Sequence, residues 1–389
     1  MTTTSQPAAP APARSSISDS IAAFTSRHRS ISIIVGMAMV TAALPLIVLL
    51  PPFSGFSAQI IWLDGFTNAG VFVLLALGLN IVVGLSGLLD LGYAAFFAIG
   101  AYVMAYAGSP FGADAGGNIF WPMLLVGAAV AAAFGILLGA PTLRLRGDYL
   151  AIVTLGFGEI VPLVILNSSD YTDGPNGIGG IVPPEIFGYQ FPPVGNAWPF
   201  YLTMIGLITI SMILIYRLQD SRLGRSWMAI REDELAAAAN GVNTVTTKLL
   251  AFALGASTAG LAGVFQSAKL TLVSPNLFRF DVSFTVLAMV VLGGMGNIWG
   301  VAVGAFIIYE IQNVFLKQLD LFFDRFHVPI VSDIDFLQYQ FLLYGIALVA
   351  MMLLRPEGLF PSRRRRRELH TSEDADFAEH GDPLGAAPE

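Results

Sequence analysis

Apolar residues fall along this chain in long unbroken blocks, not in the three-to-four spacing of a surface helix or the alternation of a half-buried strand. A membrane-spanning helix needs about 20 mostly apolar residues. Runs of that kind lie near residues 31–50, 60–83, 85–107, 119–138, 149–166, 198–216, 249–270, 301–315 and 339–354. A further run at 282–292 is too short to cross unaided and leads into Gly293-Gly294-Met295-Gly296, which predicts a half-helix or re-entrant element. The pattern predicts an all-α, polytopic transmembrane bundle of about eight to ten spans. Polar positions gather in three places: residues 1–30, residues 217–248 and the end of the chain beyond 358.

Composition agrees with this reading. Hydrophobic residues are 55% of the chain and charged residues only 12%, against about 25% charged in an ordinary soluble domain. A soluble fold of this length would have to leave much of that apolar surface in water. The 40 glycines suit close helix approach in lipid. With no cysteine, disulfides, thiol catalysis and Cys-based metal sites are excluded. The four histidines (His28, His327, His370, His380) sit in loops or tails and suggest no metal site.

The net charge of −7 describes the tail and not the body. Residues 368–389 hold Glu368, Glu373, Asp374, Asp376, Glu379, Asp382 and Glu389 with no Lys or Arg, so the remainder is neutral. Lys and Arg set orientation. With both termini cytoplasmic, 16 of the 20 cations lie inside: Arg14, Arg27 and Arg29; Arg144 and Arg146; Arg217, Arg222, Arg225, Arg231 and Lys248; Arg355 and the run Arg363–Arg367. Lys269, Arg279, Lys317 and Arg325 fall outside. Residues 1–30 read as a disordered cytoplasmic arm, 31–357 as the membrane domain, and 358–389 as a basic, then acidic, disordered cytoplasmic tail. The arginine run reads as a topology anchor that meets anionic headgroups.

The 217–248 segment is the most informative. It contains RLGRSWMAIREDELAAAANG at 222–241. Acids at Glu232, Asp233 and Glu234 favour a helix N-terminus, four alanines favour its body, and Asn240-Gly241 supplies a stop. The expectation is one short helix over 231–241 whose small-residue surface lets a partner protein approach closely; an amphipathic linker helix is the alternative.

The acidic-Ala-Ala-then-Gly arrangement resembles the coupling loop of ABC-importer permeases. GLNIVVGLSGLLDLGY at 78–93, LRLRGDYLAIVTLGFGE at 143–159, GPNGI at 174–178, VVLGGMG at 290–296 and RPEGL at 355–359 resemble, in collinear order, the LivM-type permease of branched-chain amino-acid ABC transporters. The loop departs from the broader pattern: the Glu234-to-Gly241 spacing is a little long and the trailing Ile-x-Leu-Pro element is absent. The resemblance implies a permease subunit, not an enzyme, in a bacterial cytoplasmic (inner) membrane. It implies a paralogous permease, two ABC ATPase subunits and an extracytoplasmic solute-binding protein as partners, with no nucleic acid. No Gly-x-x-x-x-Gly-Lys-Ser/Thr loop is present, so ATP and Mg are expected in the ATPase and no cofactor in this chain. On this reading Arg231, Glu232, Asp233 and Glu234 meet the ATPase, Ala236 and Ala237 pack into its groove, and Gly241 ends the coupling helix. A related importer of urea or short amides, or an ion-coupled secondary transporter using Glu159 and Glu310, are the alternatives.

Ionisable residues inside spans are functional candidates. Glu159 meets a substrate ammonium or packs between helices; Asp90 and Glu310 carry the same two readings. Glycine breaks expose backbone polar groups that line transport paths or allow tight packing. The path candidates are therefore Asn80, Gly84, Asp90, Gly92 and Tyr93 around the first break, Glu159, and Gly293, Gly294 and Gly296 at the second. The 167–196 loop, with its Gly-Pro-Asn-Gly turn, reads as an extracytoplasmic cap and docking surface.

Overall fold

The computed structural model describes residues 29–48, 56–113, 116–142, 148–192, 197–315, 340–354 and 358–360. The expectations for the N-terminal arm, for Arg144 and Arg146, for Lys317 and Arg325, for Arg355 and Arg363–Arg367, and for the acidic tail lie outside those residues. The described part is a helix bundle. In chain order it contains α1 (Arg29–Val48), α2 (Phe56–Leu79), α3 (Tyr93–Gly108), α4 (Phe120–Thr142), α5 (Asp148–Asn167) and α6 (Trp198–Gln219). Then follow α7 (Arg222–Glu232), α8 (Glu234–Ala239), α9 (Thr244–Leu270), α10 (Phe280–Gly293), α11 (Ile298–Glu310) and α12 (Gln340–Leu354). Among the described residues six helical segments are long and apolar enough to cross a membrane, and three shorter apolar helices include Tyr93–Gly108 and Ile298–Asn313.

α9 is the axis of the bundle, packed against α2, α3 and α4. Its middle reads Gly255-Ala-Ser-Thr-Ala-Gly-Leu-Ala-Gly263, and the small residues let backbones touch. A Cβ added to Gly100 of α3 would lie 2.2 Å from the Gly260 carbonyl oxygen, and one added to Gly260 would lie 2.5 Å from that of Gly127 in α4. In lipid, helices gain little from hiding apolar surface, so association rests on such close packing and on interhelical hydrogen bonds. Tyr93 supplies one: its hydroxyl donates to the Gly255 carbonyl at 2.9 Å and lies 3.1 Å from Thr258 Oγ1. The outward faces are apolar, with Leu125, Ile152, Leu163 and Leu214 all exposed.

Two expected spans change. Helix α3 begins at Tyr93, not near residue 85. α2 instead continues as a π turn, Asn80–Leu85, and then stops. Ser86 Oγ donates to the Val82 carbonyl at 2.6 Å, Gly87 takes φ +71°, and Asp90 Oδ1 accepts the Gly92 N–H at 2.9 Å. The apolar Leu85, Leu88, Leu89 and Leu91 disguise this break as helix. The short run at 282–292 is also longer than it reads. A 3₁₀ turn at Pro275–Phe278 precedes α10, and together they cover Pro275–Gly293, 19 residues. Arg279 and Asp281 hide that extension from a count of apolar residues.

This segment crosses the bundle. At one end, Leu272–Val273 pairs antiparallel with Ile178–Gly179 of the long α5–α6 loop, and Val182 N donates to the Gly108 carbonyl at the end of α3. At the other end, the α10–α11 corner meets the α2 break and α7. The α5–α6 loop is ordered through Ser169–Gln190, with a second short ladder pairing Glu185–Ile186 and Tyr189–Gln190.

Candidate functional site

The polar segment after α6 folds as two helices, which corrects the expectation of one helix over 231–241. Ser221 caps α7, its Oγ accepting the Gly224 N–H at 3.3 Å. Trp227 is fully buried and donates its Nε1–H to the Thr247 carbonyl at 2.7 Å, fastening α7 to the start of α9. Asp233 then leaves helical geometry (φ −153°, ψ 112°), and its Oδ1 accepts the N–H groups of Leu235 and Ala236 at 2.8 and 3.0 Å. An Asp able to satisfy two orphan amides competes well with helix continuation. The acid run is thus split: Glu232 ends α7, Asp233 caps α8, and Glu234 opens it. The six-residue α8 stops at Asn240-Gly241, where Gly241 takes φ +85°.

The split decides which side chains face out. Ala237 is buried, while Leu235, Ala236, Ala238 and Ala239 are exposed, as are Glu232 and Asp233. Glu234 forms a 2.6 Å ion pair with the buried Lys248 of α9, which holds α8 down. Arg231 turns inward. Its Nη1 donates to the Gly84 carbonyl oxygen at 2.5 Å, and its Cγ lies where a Cβ on Gly87 would come within 2.8 Å.

The two glycine breaks, far apart in sequence, are in contact. Asn80 is fully buried in the π turn and its Oδ1 accepts the Gly296 N–H at 2.8 Å. A Cβ on Gly84 would fall 2.0 Å from Asn80 Oδ1 and 2.7 Å from Gly296 N. Gly294 and Gly296 take φ +110° and +82°, the left-handed backbone that lets the chain turn from α10 into α11. Gly293 packs on Gly300 and Gly304 across the corner. Gly92 abuts Thr154 and Gly158 of α5, joining α3 to α5 next to the buried Asp90.

The family of branched-chain amino acid transport system permease components matches residues 61–352. The chain belongs to this family. Among curated proteins, the permease is 40% identical over 79% of its length and 72% of the relative's to the high-affinity branched-chain amino acid transport system permease protein LivM of Salmonella typhimurium strain LT2. It is 26% identical, over 76% of its length and 91% of the relative's, to the probable LivM permease of Methanocaldococcus jannaschii. It is also 24% identical over 63% of its length, and 82% of the relative's, to the permease protein LivH of Escherichia coli strain K12. No solved structure matches.

Other nominated residues of the permease lie apart from the breaks. Glu159 is exposed midway along α5, on the side away from Gly158 and Gly92 and beside the exposed Ile160 and Leu163. Glu310 ends α11, partly buried, and neither carboxyl oxygen has a hydrogen-bond partner among the described residues. A cavity of about 180 Å³ between α1, α2, α6 and α11 is lined by Phe66, Val73, Met204, Trp299 and Phe306 among others, and none of the path candidates reaches it.

Sequence reasoning missed one cluster. Lys269, counted only as an outside cation, is buried at the end of α9. Its Nζ lies 2.7 Å from Asp64 Oδ1 and 2.6 Å from Asn68 Oδ1, and Asn68 Nδ2 in turn donates to Asp64 Oδ2 at 3.0 Å. Asp64 and Asn68 lie four apart within an otherwise apolar run, one turn on the same helix face, and that spacing was the available signal.

Proposed function

We propose that this chain is the membrane-spanning permease subunit of an ATP-binding-cassette importer that carries branched-chain or related amino acids across the cytoplasmic membrane. The observation that carries the reading is the family match over most of the chain, and the exposed α8 fits it. A short helix with Leu235, Ala236, Ala238 and Ala239 outward is a low-relief knob for an ATPase groove. Glu232 and Asp233 at its edge offer carboxylates to basic groups there. A paralogous permease subunit completes the membrane part, and two ATPase subunits holding ATP and Mg drive it. An extracytoplasmic binding protein delivers cargo to the end that carries the α5–α6 loop.

Glu159 takes its role from its exposure. An ionisable group at mid-span is costly against lipid, so the outer face of α5 belongs against the paralogous subunit. There the carboxylate meets either a hydrogen-bond donor of that subunit or the ammonium of passing cargo.

Reconstitution in proteoliposomes with the candidate ATPase, paralogous permease and binding protein tests the proposal. Leucine uptake is expected with ATP and the binding protein, and urea uptake is not. Uptake driven by an imposed proton gradient without ATP would overturn the ABC reading.

A further inference from the structure

The end of the bundle that carries α7 and α8 joins four segments through hydrogen bonds to helix-terminal backbone carbonyls and through two asparagine side chains. The last carbonyls of a helix have no intrahelical amide to accept. Gly84 belongs to that class, because the π turn ends at Leu85, and its oxygen is taken by Arg231 from α7. One turn earlier Asn80 reaches across to the Gly296 N–H in the α10–α11 corner. At the far side of that corner, the last carbonyls of α10 are taken by the chain's return: Leu359 N donates to Leu292 O at 2.8 Å and Phe360 N to Gly293 O at 3.3 Å. Asn297 Nδ2 donates back to Phe360 O at 2.8 Å. Glycine is required along this line. A Cβ on Gly84 or Gly87 would strike Asn80 or Arg231, and one on Gly358 would lie 2.7 Å from Gly294 Cα.

We propose that Arg231 is a positioning residue that couples the cytoplasmic loop to both helix breaks: Arg231–Gly84 and Asn80–Gly296 act in series, so displacement of α7 and α8 moves the α2 break and the α10–α11 corner together. This rests on the permease reading above, and it changes the part assigned to Arg231, which faces the bundle and not the ATPase. The guanidinium suits this task. It stays charged, and a charge-assisted hydrogen bond to a carbonyl is stronger than a neutral one. The tight Arg231 stem against Gly87 makes the link short, so little of a loop movement is lost before it reaches α2. Asp233 and the Glu234–Lys248 pair hold α8 on the same rigid unit.

The test uses the full reconstituted importer carrying Arg231→Ala, Arg231→Lys, Asn80→Ala or the Arg231→Ala/Asn80→Ala pair, with uptake and ATP hydrolysis measured together. Loss of one part-buried hydrogen bond of this series, charge-assisted at Arg231 and neutral at Asn80, predicts up to about a tenfold fall in leucine carried per ATP hydrolysed. Arg231→Ala and Asn80→Ala should both show it, Arg231→Lys should recover much of it by keeping one cationic donor, and the pair should be no worse than the poorer single variant. Wild-type coupling in Arg231→Ala, or a pair whose defects multiply, would overturn the series link. A second measurement needs no transport. The chain has no cysteine, so spin labels at Arg222→Cys and Leu359→Cys report the loop-to-corner distance in the nucleotide-free complex. The distribution should be narrow in the otherwise native chain and broad in Arg231→Ala. An unchanged distribution overturns the link even where ATP drives uptake normally, and a broadened one supports it even where ATP does not.

Discussion

Gly100→Leu is expected to leave no folded permease to extract from the membrane. Gly100 lies at the crossing of α3 and α9, and an added Cβ would meet three backbone atoms of Gly260: the oxygen at 2.2 Å, Cα at 2.5 Å and the carbonyl carbon at 2.7 Å. No rotamer relieves a clash with backbone, so the two helices must separate. Gly260 and Gly263 on the same face of α9 touch Gly127 and the α3 backbone, so separation at one point opens the others. Overpacking a core usually costs about 1–3 kcal/mol, and Gly100→Ala should fall in that range, seen as a lower thermal midpoint of the detergent-solubilised protein. Leucine adds three more carbons at the same place and should exceed it. Gly156→Ala is the control: its Cβ would have nothing within 4 Å, and in a helix interior alanine is favoured over glycine by about 1 kcal/mol. That variant should be as stable as the native chain or slightly more so. A Gly100→Leu protein that migrates as a monodisperse peak with a native midpoint would show that the α3–α9 contact is not what holds the bundle.

The class of the bundle and the order of its apolar helices were legible because lipid imposes one strong rule, long apolar runs, of which six among the described residues are long enough to cross. Where that rule misled, a particular residue explains it. Leu85, Leu88, Leu89 and Leu91 look like membrane helix, yet Gly87 and the Asp90 side chain turn the backbone away from it. Arg279 and Asp281 shorten α10 on paper although the helix begins at Phe280. The glycine breaks themselves were visible, and what composition could not give was that Asn80 joins them across the bundle. In the loop, propensity favours a single helix, but Asp233 satisfies two amide groups by leaving helical geometry. Arg231, which the family resemblance groups with Glu232 and Asp233, lies in the last turn of α7 with its Nη1 on the Gly84 carbonyl oxygen, a long-range contact that the local sequence does not announce. Glu159 shows the limit from the other direction. Its place in the middle of a span was legible, but which side of α5 it occupies depends on Gly158 packing against Gly92, and no periodicity in so uniformly apolar a helix reveals that.

Asp64→Ala should destabilise the permease more than Lys269→Met, although both variants break the same ion pair. The two partners differ in burial: the Lys269 side chain is 7% exposed and the Asp64 side chain 51%. Removing Asp64 strands an ammonium inside the bundle with, among the described residues, Asn68 and the Asp64 main-chain carbonyl as its remaining hydrogen-bond partners. Breaking a buried pair by deleting one partner costs about 3–5 kcal/mol, because a charge is left uncompensated. Here the half-exposed carboxylate and the remaining Asn68 contact point to about 3 kcal/mol, the lower end of that range. Lys269→Met removes the buried charge itself and fills its space with an apolar stem, while Asp64 stays half-exposed and keeps the Asn68 amide as a donor. That variant should lose about 1 kcal/mol or less. The Asp64→Ala/Lys269→Met pair should then recover most of what Asp64→Ala loses, a coupling of about 2 kcal/mol between neighbours. Thermal midpoints of the four proteins in nanodiscs, at one pH and salt concentration, measure it. Equal losses in the two single variants, or simple addition in the pair, would mean that the ammonium reaches water at the end of α9 and that the cluster is an exposed ion pair of little energetic weight.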